Sequence, residues 1–161
     1  MAAKVDAQGR ARVTREVAAP ASAVWATLSD GWLYASWVVG ASRVREVDPS
    51  WPGVGSRIHH SVGIWPALIN DESVVVESVP HQRLHLTAKG WPLGEARVEL
   101  QIDEAGPQRC EVTIVEDAIK GPGTLLPRPA RQPLIVVRNR EALRRLAMIA
   151  EGRHREGLSR P

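Results

Sequence analysis

The chain has 161 residues, 43% of them hydrophobic and 24% charged, with six tryptophans, one cysteine and no phenylalanine. This length and composition predict one globular domain with a buried core, and the single cysteine, Cys110, excludes an internal disulfide. No apolar run reaches the roughly 18 residues of a membrane-spanning helix, and residues 1–12 lack the apolar stretch of a signal peptide. We therefore expect a cytoplasmic protein without a membrane span.

The net charge of +3 is unevenly distributed along the chain. Residues 128–161 contain nine basic and three acidic side chains, whereas residues 1–127 are net negative. A nucleic-acid interface would need a basic face with groove-reading or base-stacking elements. Here Arg138, Glu141 and Arg145 fall on one helical face, where they can form ion pairs. This pattern favours a solvated helix face, and we expect no nucleic-acid partner.

The N-terminal part of the chain predicts one strand and two short helices. Residues 1–9 are predicted to be a flexible leader, and alternation over residues 10–18 predicts a strand. Pro20 ends this strand and suits the first turn of a helix. The helix is supported by three apolar residues at helical spacing: Val24, Trp25 and Leu28. A second short helix is predicted over residues 32–38, and Gly40 ends it.

The central part of the chain predicts a run of antiparallel strands. Alternating polarity and turn residues delimit six segments, namely residues 42–47, 56–63, 67–79, 83–89, 95–103 and 109–118. The short connections between them predict an antiparallel meander. Asn70 and Asp71 interrupt the third segment and predict a bulge or a turn there.

A long helix is predicted over residues 133–152, after a proline-rich connection. Its apolar stripe includes Ile135, Ala142, Leu146 and Ile149, and Asn139 falls inside that stripe. Residues 153–161 are predicted to be a basic tail. The order of elements suggests an α+β domain over residues 10–152, in which a curved antiparallel sheet surrounds the long C-terminal helix and leaves an apolar cavity.

Several short segments resemble one known family. These are residues 17–20 followed by Val24 and Trp25, then Asp30 and Trp37, then residues 75–86, 112–116 and 138–146. Their order and spacing resemble the START-like or Bet v 1-like superfamily (SRPBCC), in particular bacterial polyketide cyclase/dehydrase and lipid-transport proteins. The resemblance implies a helix-grip fold with two short helices after the first strand and a central ligand cavity. It does not choose between carriers and cyclases, because one fold supports many functions.

Two titratable side chains are candidate catalytic residues. His60 shares a strand face with Ile58 and Val62, so an inward-facing imidazole would line the cavity and transfer protons near neutral pH. The alternative is a histidine at the sheet edge or bonded to the backbone. Glu116 shares a face with apolar neighbours, and the resemblance also places an acid here. It is either a cavity acid or lies at the end of its strand.

Eight residues are candidate ligand contacts. Trp65 precedes a proline in a predicted loop that would close the cavity, and Asn139 would contact the ligand, bond Glu116 or cap a loop. The remaining candidates are apolar: Val62, Val76, Leu86, Leu100, Leu143 and Leu146. His59 and His60 face opposite sides of a strand and cannot share one metal ion, so we expect no metal and no cofactor.

Three functions are consistent with these patterns. The leading prediction is binding or carriage of an apolar or aromatic small molecule, lipid- or polyketide-like, without covalent chemistry. The second is a polyketide cyclase, aromatase or dehydratase in which His60 or Glu116 transfers protons. The third is a non-catalytic module that docks a partner through its basic final helix. A monomer and a homodimer are equally compatible with the sequence.

Overall fold

The computed structural model of the chain describes residues 2–6, 8–90 and 94–158. These residues form one curved antiparallel sheet and a long C-terminal helix, in the helix-grip arrangement. The strands are β1 Ala2–Val5, β2 Ala11–Val17, β3 Ala41–Val47, β4 Arg57–Ile64, β5 Ala67–Val79, β6 Arg83–Gly90, β7 Gly94–Gly106 and β8 Arg109–Lys120. The helices are α1 Ala21–Ser29, α2 Tyr34–Trp37 and α3 Arg128–Leu158, with 3-10 turns at Gly31–Leu33 and Pro122–Thr124.

The strands lie in the order β1-β2-β8-β7-β6-β5-β4-β3, and every neighbouring pair is antiparallel. The meander predicted from the sequence is thus confirmed, and β2 closes it from the other side by pairing with β8. Asn70 and Asp71 were predicted to form a bulge or a turn, but both stay in register with β4. The shift in β5 lies between Val75 and Glu77, where it pairs with β6.

Strand β1 lies within residues 1–9, which the sequence predicts to be a flexible leader. It pairs with β2 across a turn that the Asp6 side chain stabilises. Asp6 Oδ1 accepts hydrogen bonds from the backbone N–H groups of Gln8 at 3.0 Å and Arg10 at 2.8 Å. Its Oδ2 accepts from Arg10 Nε at 2.7 Å. An aspartate that bonds the backbone two residues ahead favours a turn, and this signal makes a hairpin from a polar segment.

The two short helices follow β2, which is the first strand that the sequence predicts. They cross one end of the sheet and connect to β3. Gly31 allows this crossing, because a Cβ at this position would lie 2.6 Å from Val47 Cγ1. Trp51, in the β3–β4 connection, donates a hydrogen bond from Nε1 to the Leu28 carbonyl of α1 at 3.0 Å. Tyr34 and Trp37 therefore point into the interior, where both are buried.

Helix α3 extends beyond both predicted ends. At its start, Gln132 Oε1 accepts from the Ala11 N–H at 2.6 Å, and Arg131 forms an ion pair with Asp117 on β8. These side chains hold the turn before Pro133, so the helix begins earlier than the proline indicates. At its end, Arg153 pairs with Asp30 at 3.2 Å. Residues 153–158, assigned to a tail from the sequence, are therefore helical.

Strand β3 forms one edge of the sheet and pairs irregularly with β4. Its register shifts between Ala41 and Arg43 and again between Val44 and Glu46. Arg45 crosses the second shift and donates to the backbone carbonyls of His60 and Asp71 at 3.3–3.4 Å. The arginine thereby supplies donors to carbonyl groups where regular pairing is interrupted.

The core lies between the inner face of the sheet and α3, and it is densest at the C-terminal half of the helix. Helix α1 packs against this half and adds Val24 and Leu28. The buried apolar residues contributed by α3 are Ala142, Leu143, Leu146, Ala147 and Ala150. Toward the N-terminal half of α3 the packing opens into a cavity.

Candidate functional site

A cavity of about 330 Å³ lies between the sheet and the N-terminal half of α3. Most of its wall is apolar, with side chains from strands and helices that include Trp37, Val62, Leu86, Val98, Ile114 and Ile135. This volume is at the lower end of the range of small-molecule sites, which typically combine apolar walls with a few polar groups. The geometry therefore has the size and character of a site for a small ligand.

A row of small residues explains why the cavity is open. Ala88 on β6 pairs with Ala96 on β7, and Ala96 pairs with Ala118 on β8. Ser73 on β5 pairs with Ala88 and continues the row. Paired residues of antiparallel strands face the same side, so this row leaves the inner face shallow across four strands. All three alanines line the cavity, as does Ala142 of α3.

A chain of three hydrogen-bonding side chains lies at one wall of the cavity. The Tyr34 hydroxyl is 2.7 Å from Ser73 Oγ, and Ser73 Oγ is 3.1 Å from His60 Nε2. The Tyr34 and His60 rings lie with centroids 5.1 Å apart, tilted by 31°. If Tyr34 donates to Ser73 and Ser73 donates to His60 Nε2, the imidazole proton is on Nδ1. The three groups thus form a continuous path for hydrogen bonds.

Burial sets the protonation states along this chain. It lowers the pKa of His60 below its ordinary value of 6.5; Arg45 and His59 add to this shift, and Asp71 opposes it. Burial also raises the pKa of Tyr34 above 10.0. Near neutral pH the imidazole is therefore neutral and the phenol is protonated. A neutral imidazole of this kind can accept a proton.

The buried atoms His60 Nδ1 and Asn139 Nδ2 have no hydrogen-bond partner among the described residues. Both residues line the cavity. Leaving a polar group buried and unpaired costs about 1–3 kcal/mol, so most such groups in folded proteins have partners. A ligand oxygen placed near either nitrogen would supply one.

An ion pair forms another polar part of the wall. Glu116 on β8 is buried, and Arg138 reaches from α3 to donate to its Oε1. Both residues line the cavity. The sequence placed Arg138 on a solvated helix face with Glu141 and Arg145. In the structure, Glu141 pairs with Arg144 and Arg145, and Arg138 pairs with Glu116 instead. Glu116 thus lies inside the domain with a cationic partner, rather than at a strand end.

The structure places five of the ten predicted site residues together in the cavity wall: His60, Glu116, Val62, Leu86 and Asn139. Leu100, Leu143 and Leu146 are instead fully buried in the core beyond it. Val76 is exposed on the outer face, because its neighbour Val75 takes the inward position. Trp65 is 81% exposed at the β4–β5 turn and does not reach the wall.

Sequence reasoning missed Tyr34, Arg138 and the row of small residues. Tyr34 lies in a helix of four residues, too short to show a face by periodicity. Arg138 finds its partner 22 residues away, on another element. A single alanine in a strand gives no signal of its own. Only the register between β6, β7 and β8 brings Ala88, Ala96 and Ala118 into one row.

The part of the chain that the structure describes contains no cluster of three or more His, Cys, Asp or Glu side chains placed to hold a metal ion. Within the same ranges, none of the helices has both the length and the apolar composition needed to cross a bilayer.

A family model described as polyketide cyclase / dehydrase and lipid transport matches residues 8–151. The chain belongs to this family. The resemblance seen in the sequence is thereby confirmed, and the match covers the sheet, the short helices and most of α3. A comparison with curated proteins finds no match.

Solved structures with the family's fold are similar over nearly the whole chain. The Zhui aromatase/cyclase from Streptomyces sp. R1128 is 17% identical, with a TM-score of 0.67 over 89% of this chain and 94% of that one. A START superfamily protein from Mycobacterium smegmatis is 20% identical, with a TM-score of 0.63 over 90% and 96%. A protein from Rhodobacter sphaeroides is 21% identical, with a TM-score of 0.68 over 92% and 96%. At these identities the likeness shows a shared fold.

Proposed function

We propose that the chain binds a small apolar molecule with an oxygen-bearing group in the cavity between the sheet and α3. The observation that supports this most strongly is the row of small residues, Ser73, Ala88, Ala96 and Ala118, which keeps space open where neighbouring rows are filled. A fully packed domain would fill this space with larger side chains, because interiors are normally close-packed. The apolar walls would provide most of the affinity.

The polar groups of the wall would orient the ligand. His60 Nδ1 and Asn139 Nδ2 would bond to its oxygen atoms, and Arg138 would attract a carboxylate or an enolate. A cavity of this size suits a single-chain lipid or a compact polyketide-like molecule better than a two-chain phospholipid. The ligand class is therefore an apolar body with a polar oxygen function at one end.

A cavity-filling variant tests this proposal. We expect native mass spectrometry of freshly purified protein to show a bound mass that is lost on denaturation, and anilinonaphthalene sulfonate to bind saturably. Ala96→Phe would fill the cavity and weaken dye binding at least about tenfold, the effect of losing one large apolar contact. Val76→Phe is the matched control, since it adds the same ring on the outer face.

The outcome that contradicts binding in the cavity is equal dye affinity in the wild type and in Ala96→Phe. Far-ultraviolet circular dichroism of each variant establishes that it is folded. Ala88→Leu is a milder alternative if the phenylalanine prevents folding, because it adds less volume to the same row.

The Tyr34–Ser73–His60 chain favours a second candidate, a cyclase or dehydratase acting on a polyketide-like substrate. In the other tautomer, in which His60 Nε2–H donates to Ser73 Oγ, the neutral Nδ1 would accept a proton from carbon next to a carbonyl, and the cavity would hold the chain in a reactive conformation. Incubation with a poly-β-ketone thioester tests this, with loss of water followed by mass spectrometry. Turnover that His60→Gln abolishes while dye binding persists supports the enzyme; binding without any product supports the carrier.

Docking of a partner protein through Arg138, Arg144 and Arg145 stays a prediction. All three arginines form ion pairs within the chain, Arg138 with Glu116 and the other two with Glu141. Pull-down with the wild type and with Arg144→Gln/Arg145→Gln measures whether they also contact a partner.

A further inference from the structure

Four exposed apolar residues lie together at the start of α3 and in the segment before it. They are Leu125, Leu126, Leu134 and Val137, which we call the leucine flank; Leu125 is 83% exposed and Leu134 is 72% exposed. Leu126 and Leu134 both line the cavity, so the flank borders its opening. Val137 lies one helical turn after Leu134. Clustered exposed leucines of this kind mark an interaction site rather than an ordinary surface.

The leucine flank is held in this position by hydrogen bonds. Arg131 donates to the carbonyl oxygens of Leu126 at 3.2 Å and Thr124 at 3.5 Å, and its guanidinium also pairs with Asp117 on β8. Thr124 Oγ1 donates to the Gly121 carbonyl at 2.7 Å. Hydrogen bonds to its backbone therefore hold the segment before α3 in place, and its leucine side chains are exposed to solvent.

The charge around the leucine flank is net positive. Residues 116–141 include five basic and three acidic residues, a net charge of +2. Glu116 and Asp117 pair with Arg138 and Arg131, and Lys120 lies 3.8 Å from Glu95, but Arg140 adds a further exposed cation. Two copies of this surface brought face to face would place like charges together, which disfavours self-association here. A partner with both an apolar part and anionic groups complements the leucines and the basic residues.

We propose that the leucine flank docks on an anionic lipid surface and turns the cavity opening toward the bilayer. Leucines beside basic residues are typical of segments that lie at the interface of a membrane without crossing it. The leucines would enter the boundary between headgroups and acyl chains, and Arg140 would contact lipid phosphates. An apolar ligand would then move between bilayer and cavity without crossing water.

Vesicle flotation tests the docking. We expect the full chain to float with vesicles of equimolar phosphatidylcholine and phosphatidylglycerol at low salt, and to stay in solution with phosphatidylcholine alone. Leu125→Ser/Val137→Ser would lower the partition constant at least about tenfold, because two apolar anchors are lost. Arg140→Gln would lower it about fivefold. These three residues do not line the cavity, so dye binding without vesicles should be unchanged.

The matched control is Val54→Ser/Val76→Ser, which removes two exposed valines from other surfaces and should float like the wild type. Three results would overturn the docking: no flotation of the wild type, equal flotation of Leu125→Ser/Val137→Ser, or a dimer in sedimentation that the same variant dissociates. Because dye binding is measured without vesicles, failure of the docking and failure of the proposed ligand site are separate observations.

Discussion

The two ends of the sheet's inner face differ in the size of their side chains. At the closed end, near α1, paired residues on β6, β7 and β8 are large: Leu84, Leu100 and Ile114, the last of which also forms part of the cavity wall. At the open end, two rows further on, the residues at equivalent positions are small: Ala88, Ala96 and Ala118. The row between them combines both characters, with Leu86, Val98 and the carboxylate of Glu116.

Helix α3 repeats this difference along its length. Its C-terminal half buries Leu143 and Leu146 against the closed end, and its N-terminal half presents Arg138 and Asn139 to the cavity. One sheet and one helix thus provide both a packed core and a cavity, because the residue size changes along both in the same direction. If the ligand binds in the cavity as proposed, stability and ligand affinity depend on different rows, and mutations should separate them.

Truncation at the closed end should have the largest effect. Leu146→Ala is expected to lower the free energy of unfolding by about 2–5 kcal/mol, since it leaves a cavity in the core. Leu134→Ala, the matched change in the open half, should alter it by less than about 0.5 kcal/mol because that side chain is mostly exposed. Urea unfolding measures both values. Equal losses would show that the two halves of α3 do not differ in packing.

Removal of the arginine at the open end should have an intermediate effect. Arg138→Met leaves the buried Glu116 carboxylate without its partner and is expected to cost about 1–3 kcal/mol of unfolding free energy. The partial exposure of Arg138 keeps this loss below that for a fully buried pair. A double-mutant cycle with Glu116→Gln measures the coupling. A coupling energy near zero would contradict the pairing.

The amino-acid sequence predicted the closed end well and the open end only in part. Alternating polarity is a local signal, so the strands from β2 to β8 were found within a few residues. His60 and Glu116 were found because a polar residue on an apolar strand face is visible in the sequence. Strand β1 depends on the Asp6 side chain, and the small-residue row depends on register between strands, so both required the structure.

A third, smaller effect is the pH dependence of stability that His60 produces at the cavity. The folded-state pKa of His60 lies below the unfolded value of about 6.5, so the unfolded chain binds more protons in this window. Stability is therefore complete above about pH 6.5 and is lost as the pH falls toward the folded-state pKa. His60→Gln should reduce this loss when unfolding is compared at about pH 5.5 and about pH 7.5. The same slope in wild type and variant would exclude His60 as its source.

The smallest effect is expected at the exposed C-terminal end of α3. Arg153→Gln removes the ion pair with Asp30, and both partners are well exposed to solvent. We expect a change of at most about 0.5 kcal/mol in the free energy of unfolding and no change in dye binding. A larger loss, measured by urea unfolding, would mean that the end of the helix contributes to the closed core.

The irregular pairing of β3 has a consequence for how molecules of this protein meet one another. An open sheet ends in strands whose unpaired backbone groups can recruit a strand from another chain and start fibril growth. On β3, the two register shifts bend this border, and the exposed charges of Arg43, Arg45 and Glu46 line it. A neighbouring chain would find neither a straight hydrogen-bonding ladder nor an apolar surface to cover. The irregular pairing of β3 with β4 therefore also disfavours aggregation through this edge of the sheet.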